Sequence, residues 1–252
     1  SFTSPQNSYG MLVDKDGSAG SAVPRLSVVI PAYNEEATLK ESVIRVLALP
    51  LSLEILLVDD GSTDGSAAIA DALAAEHPRV RVFHKENGGK GSAVRMGIEQ
   101  AIGEVVVIQD ADLEYDPSDF LRMLEEMERI DTPVLYGSRR LSYRSSHVQV
   151  KYYWGGVLLS WITNILYGSR LTDEPTCYKM WKRELIQSID LQSEGFEFCP
   201  EVTAKVLKRG YKIPEIQIRY EPRTEDAGKK IRTRDGWVAI WTLLRLRFSR
   251  SK

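Results

Sequence analysis

The hydrophobic pattern of the chain changes its period repeatedly after residue 24. Short runs of apolar, often β-branched residues predict strands, and longer stretches with apolar positions every three or four residues predict helices. The predicted strands are 26–30, 54–58, 80–84 and 104–109, and the predicted helices between them are 35–49, 66–76 and 91–101. Strands that alternate with helices are typical of an α/β fold, with a doubly wound, mostly parallel sheet flanked by helices.

Three of these predicted strands are followed directly by polar clusters. In open parallel sheets, ligands bind beyond the carboxyl ends of the strands. The clusters are Tyr33-Asn34-Glu35, Asp59-Asp60 and Asp110-Ala111-Asp112. Because each cluster follows a buried strand, we expect all three to line one ligand site at the same edge of the sheet.

The second half of the chain has a less regular pattern. It predicts a strand at 134–136, an aromatic-rich helix at 152–167, helices at 185–189 and 200–209, an edge strand at 213–220 and a charged loop at 221–234. We interpret residues 25–236 as a single compact domain. Residues 1–24, which are rich in Ser and Gly, are predicted to be a flexible leader, and residues 237–252 an amphipathic C-terminal helix.

Composition and charge exclude several classes of protein. The formal charge of -2 and the pI near 6.0 provide no basic field, so a nucleic-acid partner is not expected. Two cysteines and three histidines fit neither a disulfide framework nor a zinc site, which favours a reducing, cytosolic setting. No run reaches the roughly 18 apolar residues of a membrane-spanning helix, and the predicted leader lacks the apolar core of a signal peptide.

Asp110 and Asp112 are the candidates for metal chemistry. Side chains two residues apart in an extended segment point to the same side, so both carboxylates can face one ligand. They repel each other unless a cation separates them or one takes up a proton. Mg²⁺ or Mn²⁺ bound to a diphosphate would resolve this repulsion, and Glu114 could complete the set of ligands. The alternative is a loop of solvated acidic residues.

Two further polar segments accompany this acidic pair. Adjacent carboxylates at a buried strand end need partners, and a base N–H or a ribose hydroxyl would provide them for Asp59 and Asp60. Asp64 is expected to cap the helix that follows. In the segment NGGKGS (87–92), glycines let the backbone approach a ligand, and Lys90 places a positive charge before a helix. Its spacing is not that of a P-loop, and a plain turn is the alternative.

Taken together, these segments resemble the family 2 glycosyltransferases of the GT-A fold, and among them the dolichyl- or polyprenyl-phosphate hexose synthases. The similar segments are VVIPAYNEE (28–36), ILLVDDGSTDG (55–65), NGGKGSAVRMG (87–97), IQDADLEYDP (108–117) and YGSRR (136–140). The likeness weakens beyond residue 140, where DEPTCYKMWKRE (173–184) and GFEFCPEVTAK (195–205) are still similar. The resemblance implies a nucleotide-sugar half, about 25–140, and an acceptor half, about 141–236.

The resemblance also implies roles for individual residues. Asp112 would be the main metal ligand, Asp110 would lie nearer the nucleotide, and Arg139 would hold a phosphate of the acceptor or of the departing diphosphate. Glu114 stands where this group often has Gln, and a charged ligand there would alter the choice of metal. The expected donor-binding residues are Pro31, Ala32, Tyr33, Glu35, Asp59, Asp60, Lys90, Gln109, Asp110, Ala111, Lys229 and Lys230.

The reaction implied by the resemblance is an inverting displacement at the sugar anomeric carbon. Metal and basic groups would stabilise the charge that develops on the departing diphosphate. An acceptor phosphate is already an anion and needs no strong general base, whereas a sugar hydroxyl needs a positioned carboxylate. Asp173 is the candidate base, with Glu197 or Glu201 behind it. Helix capping and ordinary ion pairs are the alternative roles of these three residues.

Two aromatic-rich segments bear on the acceptor. The first would either pack in the core or lie at a membrane interface; it contains Tyr152, Tyr153, Trp154, Trp161 and Tyr167. The C-terminal segment places Arg245, Arg247 and Arg250 among apolar residues, which suits an anionic membrane surface. The sequence therefore predicts a cytoplasmic protein. Peripheral binding of these segments to the cytoplasmic face of the membrane is the alternative to a location free in the cytoplasm.

Three functions are carried forward. The first is transfer of a hexose from a nucleotide-sugar, of the GDP-mannose or UDP-glucose type, to a polyprenyl or dolichyl phosphate. The second is a soluble family 2 enzyme that glycosylates a sugar or polysaccharide hydroxyl. The third is a non-catalytic module that binds nucleotide-sugars, and the acidic pair argues against it because inactive relatives usually lose that pair. The motifs do not choose between UDP- and GDP-sugars.

Overall fold

The computed structural model describes residues 23–141, 150–222 and 233–249. The strands in this part of the chain are β1 (Leu26–Ala32), β2 (Leu53–Asp59), β3 (Val80–His84), β4 (Val105–Ile108), β5 (Val134–Ser138), β6 (Lys179–Lys182) and β7 (Glu215–Gln217). The helices are α1 (Leu39–Leu47), α2 (Ser66–Glu76), α3 (Lys90–Gln100), α4 (Asp119–Arg129), α5 (Val150–Tyr167), α6 (Arg183–Gln187), α7 (Phe198–Lys208) and α8 (Thr233–Phe248).

The first four strands form the parallel part of one sheet, which has the order β3-β2-β1-β4-β6-β5-β7. β1 pairs in parallel with β2 and with β4, so that Leu26 lies opposite both Leu53 and Val105. β2 is buried throughout, and β1 is buried except at Pro31, as expected of strands that are covered on both faces. The predicted α/β fold with a mostly parallel sheet is therefore confirmed, although α1 begins four residues later than predicted.

The second half adds three strands, and one of them runs in the opposite direction. β6 lies antiparallel between β4 and β5, and β7 pairs in parallel with β5 at the edge of the sheet. The sequence pattern does not predict β6, because KMWK (179–182) is short and begins and ends with lysine. Its strand conformation comes from packing, since Met180 and Trp181 are fully buried. The predicted edge strand at 213–220 is present only at its centre, in β7.

Helix α4 was also absent from the predicted elements. Its buried face is formed by Phe120, Met123, Leu124 and Met127, at intervals of three, one and three residues. This spacing is helical, and charged residues occupy most of the opposite face. The signal for α4 is therefore present in the sequence, and the helix was predictable from the same periodicity that marked α1.

Helix α8 packs against α5 and α7 through a small buried face formed by Ala239, Thr242 and Leu243. The hydroxyl of Tyr167, the last residue of α5, donates a 2.7 Å hydrogen bond to the backbone carbonyl of Leu243. Trp237, Trp241 and Phe248 of α8 are exposed, and the helix begins four residues before the predicted C-terminal helix. Among the helices of the described ranges, none is long and apolar enough to cross a membrane.

Candidate active site

The loops that follow β1 and β2 are joined by hydrogen bonds, which brings their polar residues together. Asn34, whose φ is +52°, donates its backbone N–H to Ser62 Oγ at 3.0 Å and accepts from the N–H of Thr63 at 2.8 Å. The carboxylate of Asp64 accepts from the N–H of Ser66, the first residue of α2, at 2.9 Å. Asp64 therefore has the role at the helix start that the sequence predicts.

Asp59 ends β2 directly opposite Ala32 of β1 and His84 of β3. Its buried carboxylate accepts from the N–H of Ser62 at 3.1 Å and lies 3.0 Å from Nδ1 of His84. Burial acts to raise the pKa of Asp59, but hydrogen bonds with Ser62 and His84 lower it below its ordinary value. This carboxylate therefore has partners within the chain, and its contact with a nucleoside stays a prediction.

Asp60 organises the glycine-rich loop that precedes α3. Its Oδ1 accepts hydrogen bonds from Lys85 Nζ at 2.7 Å and from the N–H of Gly88 at 3.0 Å, and its Oδ2 accepts from the N–H of Gly89 at 2.8 Å. Both oxygens of this buried carboxylate are thus engaged with the loop. The sequence pattern does not show this structural role, and the contact of Asp60 with a nucleoside stays a prediction.

Gly89 and Gly91 lie against the segment 193–195 of the second half. A Cβ atom on Gly89, whose φ is +92°, would come within 2.6 Å of the carbonyl oxygen of Glu194, and one on Gly91 within 2.7 Å of two carbonyl oxygens of the segment. The N–H of Ser92 donates to the carbonyl of Glu194 at 3.0 Å. Gly89 and Gly91 thus allow a close approach to the protein's own backbone, through which the loop contacts the second half. The approach of this loop to a ligand stays a prediction.

Lys90, the first residue of α3, provides a countercharge for the acidic pair. Its Nζ lies 2.6 Å from Asp110 Oδ1 and 5.8 Å from the ring centre of Phe196. Burial acts to lower the pKa of Lys90, but the neighbouring Asp110 and Cys177 raise it well above its ordinary value. Lys90 is therefore a cation at the carboxyl edge of the sheet, and the charge of Asp110 is balanced within the protein.

Asp112 and Glu114 lie in a turn after β4, on either side of Leu113, whose φ is +63°. The N–H of Glu114 donates to Asp112 Oδ1 at 3.2 Å, and the hydroxyl of Tyr220 donates to Glu114 Oε2 at 2.9 Å. Within the described ranges, no three histidine, cysteine or carboxylate side chains are grouped so that they could hold a metal ion. The assignment of Glu114 as a third metal ligand therefore stays a prediction, without support from this geometry.

Gln109 and Ala111 lie beside the acidic pair, directly after β4, and both are buried. The side chain of Gln109 donates from Nε2 to the carbonyl of Asp110 at 2.9 Å and accepts from the hydroxyl of Tyr178 at 2.6 Å. Because Tyr178 belongs to the second half of the chain, this hydrogen bond connects the acidic segment to that half. The contacts of Gln109 and Ala111 with a ligand stay a prediction.

The predicted donor residues after β1 lie at the same edge of the sheet. Ala32 is buried and accepts a backbone hydrogen bond from Asp60 at 2.8 Å. Tyr33 is exposed, and Glu35 donates its N–H to Ser66 Oγ at 2.8 Å. These residues lie close to Asp59, as expected from the convergence of the parallel strands. Lys229 and Lys230, the two predicted donor-binding lysines of the charged loop, lie outside the described residues.

Arg139, which follows β5, forms a buried ion pair with Asp173. Nε and Nη2 of Arg139 donate to the two carboxylate oxygens at 2.7 and 2.8 Å, and its backbone N–H donates to Oδ2 at 3.0 Å. The guanidinium also lies 5.0 Å from the ring centre of Tyr220. Burial acts to raise the pKa of Asp173, but the charge of Arg139 lowers it below its ordinary value. Both oxygens of the candidate base therefore already accept hydrogen bonds from an arginine.

The other two candidate bases, Glu197 and Glu201, are engaged with the backbone of the segment 192–195. Glu197 Oε1 accepts from the N–H groups of residues 194 and 195 at 3.2 and 3.0 Å. Glu201 is buried, accepts from the N–H groups of residues 192 and 193, and pairs with Lys205 at 2.6 Å. Glu201 thus has the ion pair that was one of the alternatives, whereas the contacts of Glu197 are with the segment before α7 and do not cap this helix.

The exposed faces of α5 and α8 carry large apolar side chains, which we call the α5–α8 surface. Its members are Trp154, Leu158, Trp161 and Ile165 of α5 and Trp237, Trp241 and Phe248 of α8. The four tryptophans are between 60% and 71% exposed, whereas Trp181 of the sheet is fully buried. Core packing is therefore wrong for Trp154 and Trp161. The side chains of Tyr152 and Tyr153, and residue Arg250, lie outside the described part of the chain.

The fold and the site define the class of this protein. A mostly parallel α/β sheet with polar clusters after β1 and β2 and an acidic pair after β4 is the arrangement of a glycosyltransferase of the GT-A fold. The sequence profile of glycosyl transferase family 2 matches residues 27–189, and the chain belongs to this family. The family that the sequence motifs resemble is thereby confirmed.

Two relatives are similar to this chain over most of its length. Polyprenol monophosphomannose synthase of Mycolicibacterium smegmatis is 31% identical over 233 residues, which cover 86% of each chain. Undecaprenyl-phosphate mannosyltransferase of Micrococcus luteus is 30% identical over 254 residues, which cover 88% of this chain and 98% of that protein. Among solved structures, the chain is similar to glucosyl-3-phosphoglycerate synthase from Mycobacterium tuberculosis, solved in complex with Mn²⁺, UDP and phosphoglyceric acid. The TM-score is 0.63 at 21% identity, and the match covers 91% of this chain and 80% of that one. The solved structure supports the fold.

Proposed function

We propose that this protein is an inverting, metal-dependent hexosyltransferase that moves a hexose from a nucleotide-sugar, of the GDP-mannose or UDP-glucose type, to a polyprenyl or dolichyl phosphate. The observation that carries the proposal is the ion pair of Arg139 and Asp173. It occupies the carboxylate that would deprotonate a hydroxyl acceptor, and it fixes an arginine that can hold a phosphate. The names of the two sequence relatives, both enzymes of polyprenyl-phosphate mannosylation, support the same class of acceptor.

A phosphate acceptor suits the carboxylates of this site. It is an anion near neutral pH and can attack the anomeric carbon without a strong general base. Asp173, Glu197 and Glu201 already accept hydrogen bonds from Arg139, the backbone and Lys205. An arginine has five N–H donors, and the contacts with Asp173 use Nε and Nη2 of Arg139, so this side chain keeps donor capacity for a phosphate.

A divalent cation suits the donor side of the site. Asp110 and Asp112 supply carboxylate oxygens, which Mg²⁺ and Mn²⁺ prefer, and Mg²⁺ is commonly held by one or two carboxylates together with substrate phosphates. We assign Asp112 as the main protein ligand, because Asp110 is already paired with Lys90 at 2.6 Å. When bound, the ion would offset the charge on the departing diphosphate. Lys90 would add a fixed positive charge on the same side.

The α5–α8 surface favours a peripheral position on the cytoplasmic membrane face, where a lipid phosphate is accessible. Tryptophan is enriched at membrane interfaces, and each arginine near an anionic surface contributes about 1 kcal/mol. Arg245 and Arg247 are exposed on α8. Helix α5, whose exposed face forms part of this surface, packs through the buried Gly156 against the guanidinium of Arg140, the residue after Arg139.

Transfer assays with matched acceptors test the proposed function. The protein is incubated with Mg²⁺ or Mn²⁺, with GDP-mannose or UDP-glucose, and with polyprenyl phosphate, the corresponding polyprenol or a free sugar. We expect transfer to polyprenyl phosphate alone, loss of transfer after chelation of the metal, and inversion at the anomeric carbon by NMR of the product.

The other outcomes identify the alternatives. Transfer to a sugar hydroxyl with an inert lipid phosphate would support the soluble family 2 enzyme and contradict the lipid-phosphate acceptor. Donor binding without transfer to any acceptor would support a non-catalytic binding module. Retention of anomeric configuration would contradict the displacement mechanism even if the lipid phosphate is the acceptor.

A further inference from the structure

His84 lies between two carboxylates at the donor end of the sheet. It ends β3, directly opposite Asp59 at the end of β2. Its Nδ1 lies 3.0 Å from Asp59 Oδ2, and its Nε2 lies 3.0 Å from Oδ1 of Asp71 on α2. The Asp59 carboxylate is buried, the imidazole is about half exposed, and the Asp71 carboxylate is exposed. The imidazole therefore connects the buried carboxylate to one at the surface.

The two contacts together require a particular protonation state. A neutral imidazole has one N–H and can donate to only one of the two carboxylates, whereas an imidazolium donates from both nitrogens. Hydrogen bonds with Asp71 and Asp59 raise the pKa of His84 above its ordinary value, against the opposing effect of burial. In the described chain, Asp59 from β2 and Asp71 from α2 are the charged groups in contact with the ring, and the adjacent Lys85 pairs with Asp60 instead.

These contacts hold the Asp59 carboxylate from two sides. The N–H of Ser62 donates to Oδ1 at 3.1 Å, and His84 approaches Oδ2 at 3.0 Å. A carboxylate has about four lone-pair positions, so it can be held in this way and still accept a hydrogen bond from a ligand. A side chain that is already fixed also loses less conformational freedom when the ligand binds.

We propose that His84 is a positioning residue of the donor site: as an imidazolium between Asp59 and Asp71, it holds the Asp59 carboxylate in the orientation that accepts a hydrogen bond from the donor nucleoside. This rests on the proposed function, which places the nucleoside at Asp59. Nucleotide affinity then depends on pH with a defined sign. His84 is protonated below its raised pKa, and loss of the proton above it removes a donor and a countercharge, so affinity falls as pH rises through that value.

Calorimetric titration with nucleoside diphosphates tests this role. UDP and GDP are each titrated in the presence of Mg²⁺, over roughly pH 5 to 8.5, where a raised imidazole changes its charge. We expect the Kd of the recognised diphosphate to rise roughly three- to tenfold from the acidic to the alkaline end, the effect of about one hydrogen bond. His84→Asn is expected to bind with the weaker affinity at every pH, while kcat at saturating donor stays close to that of the wild type.

Three further variants separate positioning from a merely structural role. Asp71→Asn is expected to move the pH profile to lower pH without changing the Kd at the acidic end. His84→Arg, with a charge that does not titrate, is expected to retain the tighter affinity throughout. The control His77→Asn removes a histidine whose ring lies 4.0 Å from Glu76 and should keep the wild-type profile.

Two kinds of failure are distinguishable in this experiment. If His84→Asn binds the diphosphate with wild-type affinity and pH profile, or loses only thermal stability, the positioning role is overturned. If the wild-type protein binds neither diphosphate at any pH with Mg²⁺ or Mn²⁺, the proposed function itself is contradicted.

Discussion

The carboxyl ends of the parallel strands and the α5–α8 surface differ in how their side chains are partnered. At the strand ends, buried and partly buried charges have partners from the same chain, as in the pairs of Asp60 with Lys85 and of Asp110 with Lys90. On the α5–α8 surface, tryptophans are exposed to solvent at 60% or more. A buried charge without a partner would destabilise the fold by several kcal/mol. An exposed apolar patch, in contrast, stabilises a structure only when another surface removes it from water. The strand ends thus provide a fixed geometry for a ligand, and the α5–α8 surface is accessible to a partner.

The largest expected effect comes from removing the second carboxylate of the acidic pair. Asp112→Ala is expected to lower kcat by roughly a thousandfold, because the departing diphosphate loses the ligand that would hold its cation. The free energy of unfolding should change little, since Asp112 is only partly buried. Initial rates over a titration with Mg²⁺ and Mn²⁺, together with thermal unfolding, measure both quantities. Glu99→Ala, at an exposed position of α3, is the control. A wild-type kcat for Asp112→Ala would contradict the role of Asp112 as the metal ligand of the proposed donor site.

The next largest effect is expected from substitutions on the α5–α8 surface. Trp161→Gln combined with Trp241→Gln is expected to weaken binding to anionic vesicles by roughly a hundredfold, about tenfold for each aromatic side chain withdrawn from an apolar environment. Transfer to a short-chain, water-soluble polyprenyl phosphate should continue at the wild-type rate. Co-sedimentation with vesicles and a transfer assay check the two parts.

The control for this surface is Tyr211→Gln, at an exposed aromatic residue beside residues 130–133. It should leave vesicle binding unchanged. If the tryptophan variant binds vesicles as the wild type does, the surface does not contact the membrane. If the same substitutions instead convert a dimer into a monomer in size-exclusion chromatography, a second copy of the chain covers the surface.

Gly91→Ala is expected to have a smaller effect, on stability. Its Cβ atom would lie 2.7 to 2.9 Å from backbone atoms of the segment 193–195, which must then shift. We expect the free energy of unfolding to fall by about 1–3 kcal/mol, as in other overpacked sites. Urea unfolding measures the change. Gly155→Ala is the matched control, because nothing lies within 4 Å of its added Cβ atom, and we expect it to stabilise α5 by about 0.5–1 kcal/mol. Equal effects of the two substitutions would refute the contact between the halves.

The smallest expected effect is that of Tyr167→Phe, which removes the hydrogen bond from α5 to the carbonyl of Leu243 on α8. The free energy of unfolding is expected to fall by about 1 kcal/mol, which lowers the Tm by about 2–4 °C in a chain of this size. Burial raises the pKa of Tyr167 to about 12, so the hydroxyl is protonated at neutral pH and the loss should be the same across that range. Tyr211→Phe is the control. An unchanged Tm would show that this bond does not stabilise the contact of α5 with α8.

Much of the donor side could be predicted from the sequence because its signals are local. The strand periodicity of residues 26–108 and the polar clusters after the strands place Asp59 and Asp110 at one edge of a parallel sheet. α4 could have been predicted from the same kind of signal. β6 could not, because its conformation depends on burial of Met180 and Trp181 between strands that are distant in sequence.

The sequence by itself determined the family, the parallel part of the sheet and the segments that meet at its carboxyl edge. Only the tertiary structure decided which partner each charged side chain takes: Lys85 for Asp60, Arg139 for Asp173, and His84 between Asp59 and Asp71. It also decided that the aromatic faces of α5 and α8 are exposed. The reason is physical, since periodicity records that a face is apolar but not what covers it, and ion pairs form between residues that only the fold brings together.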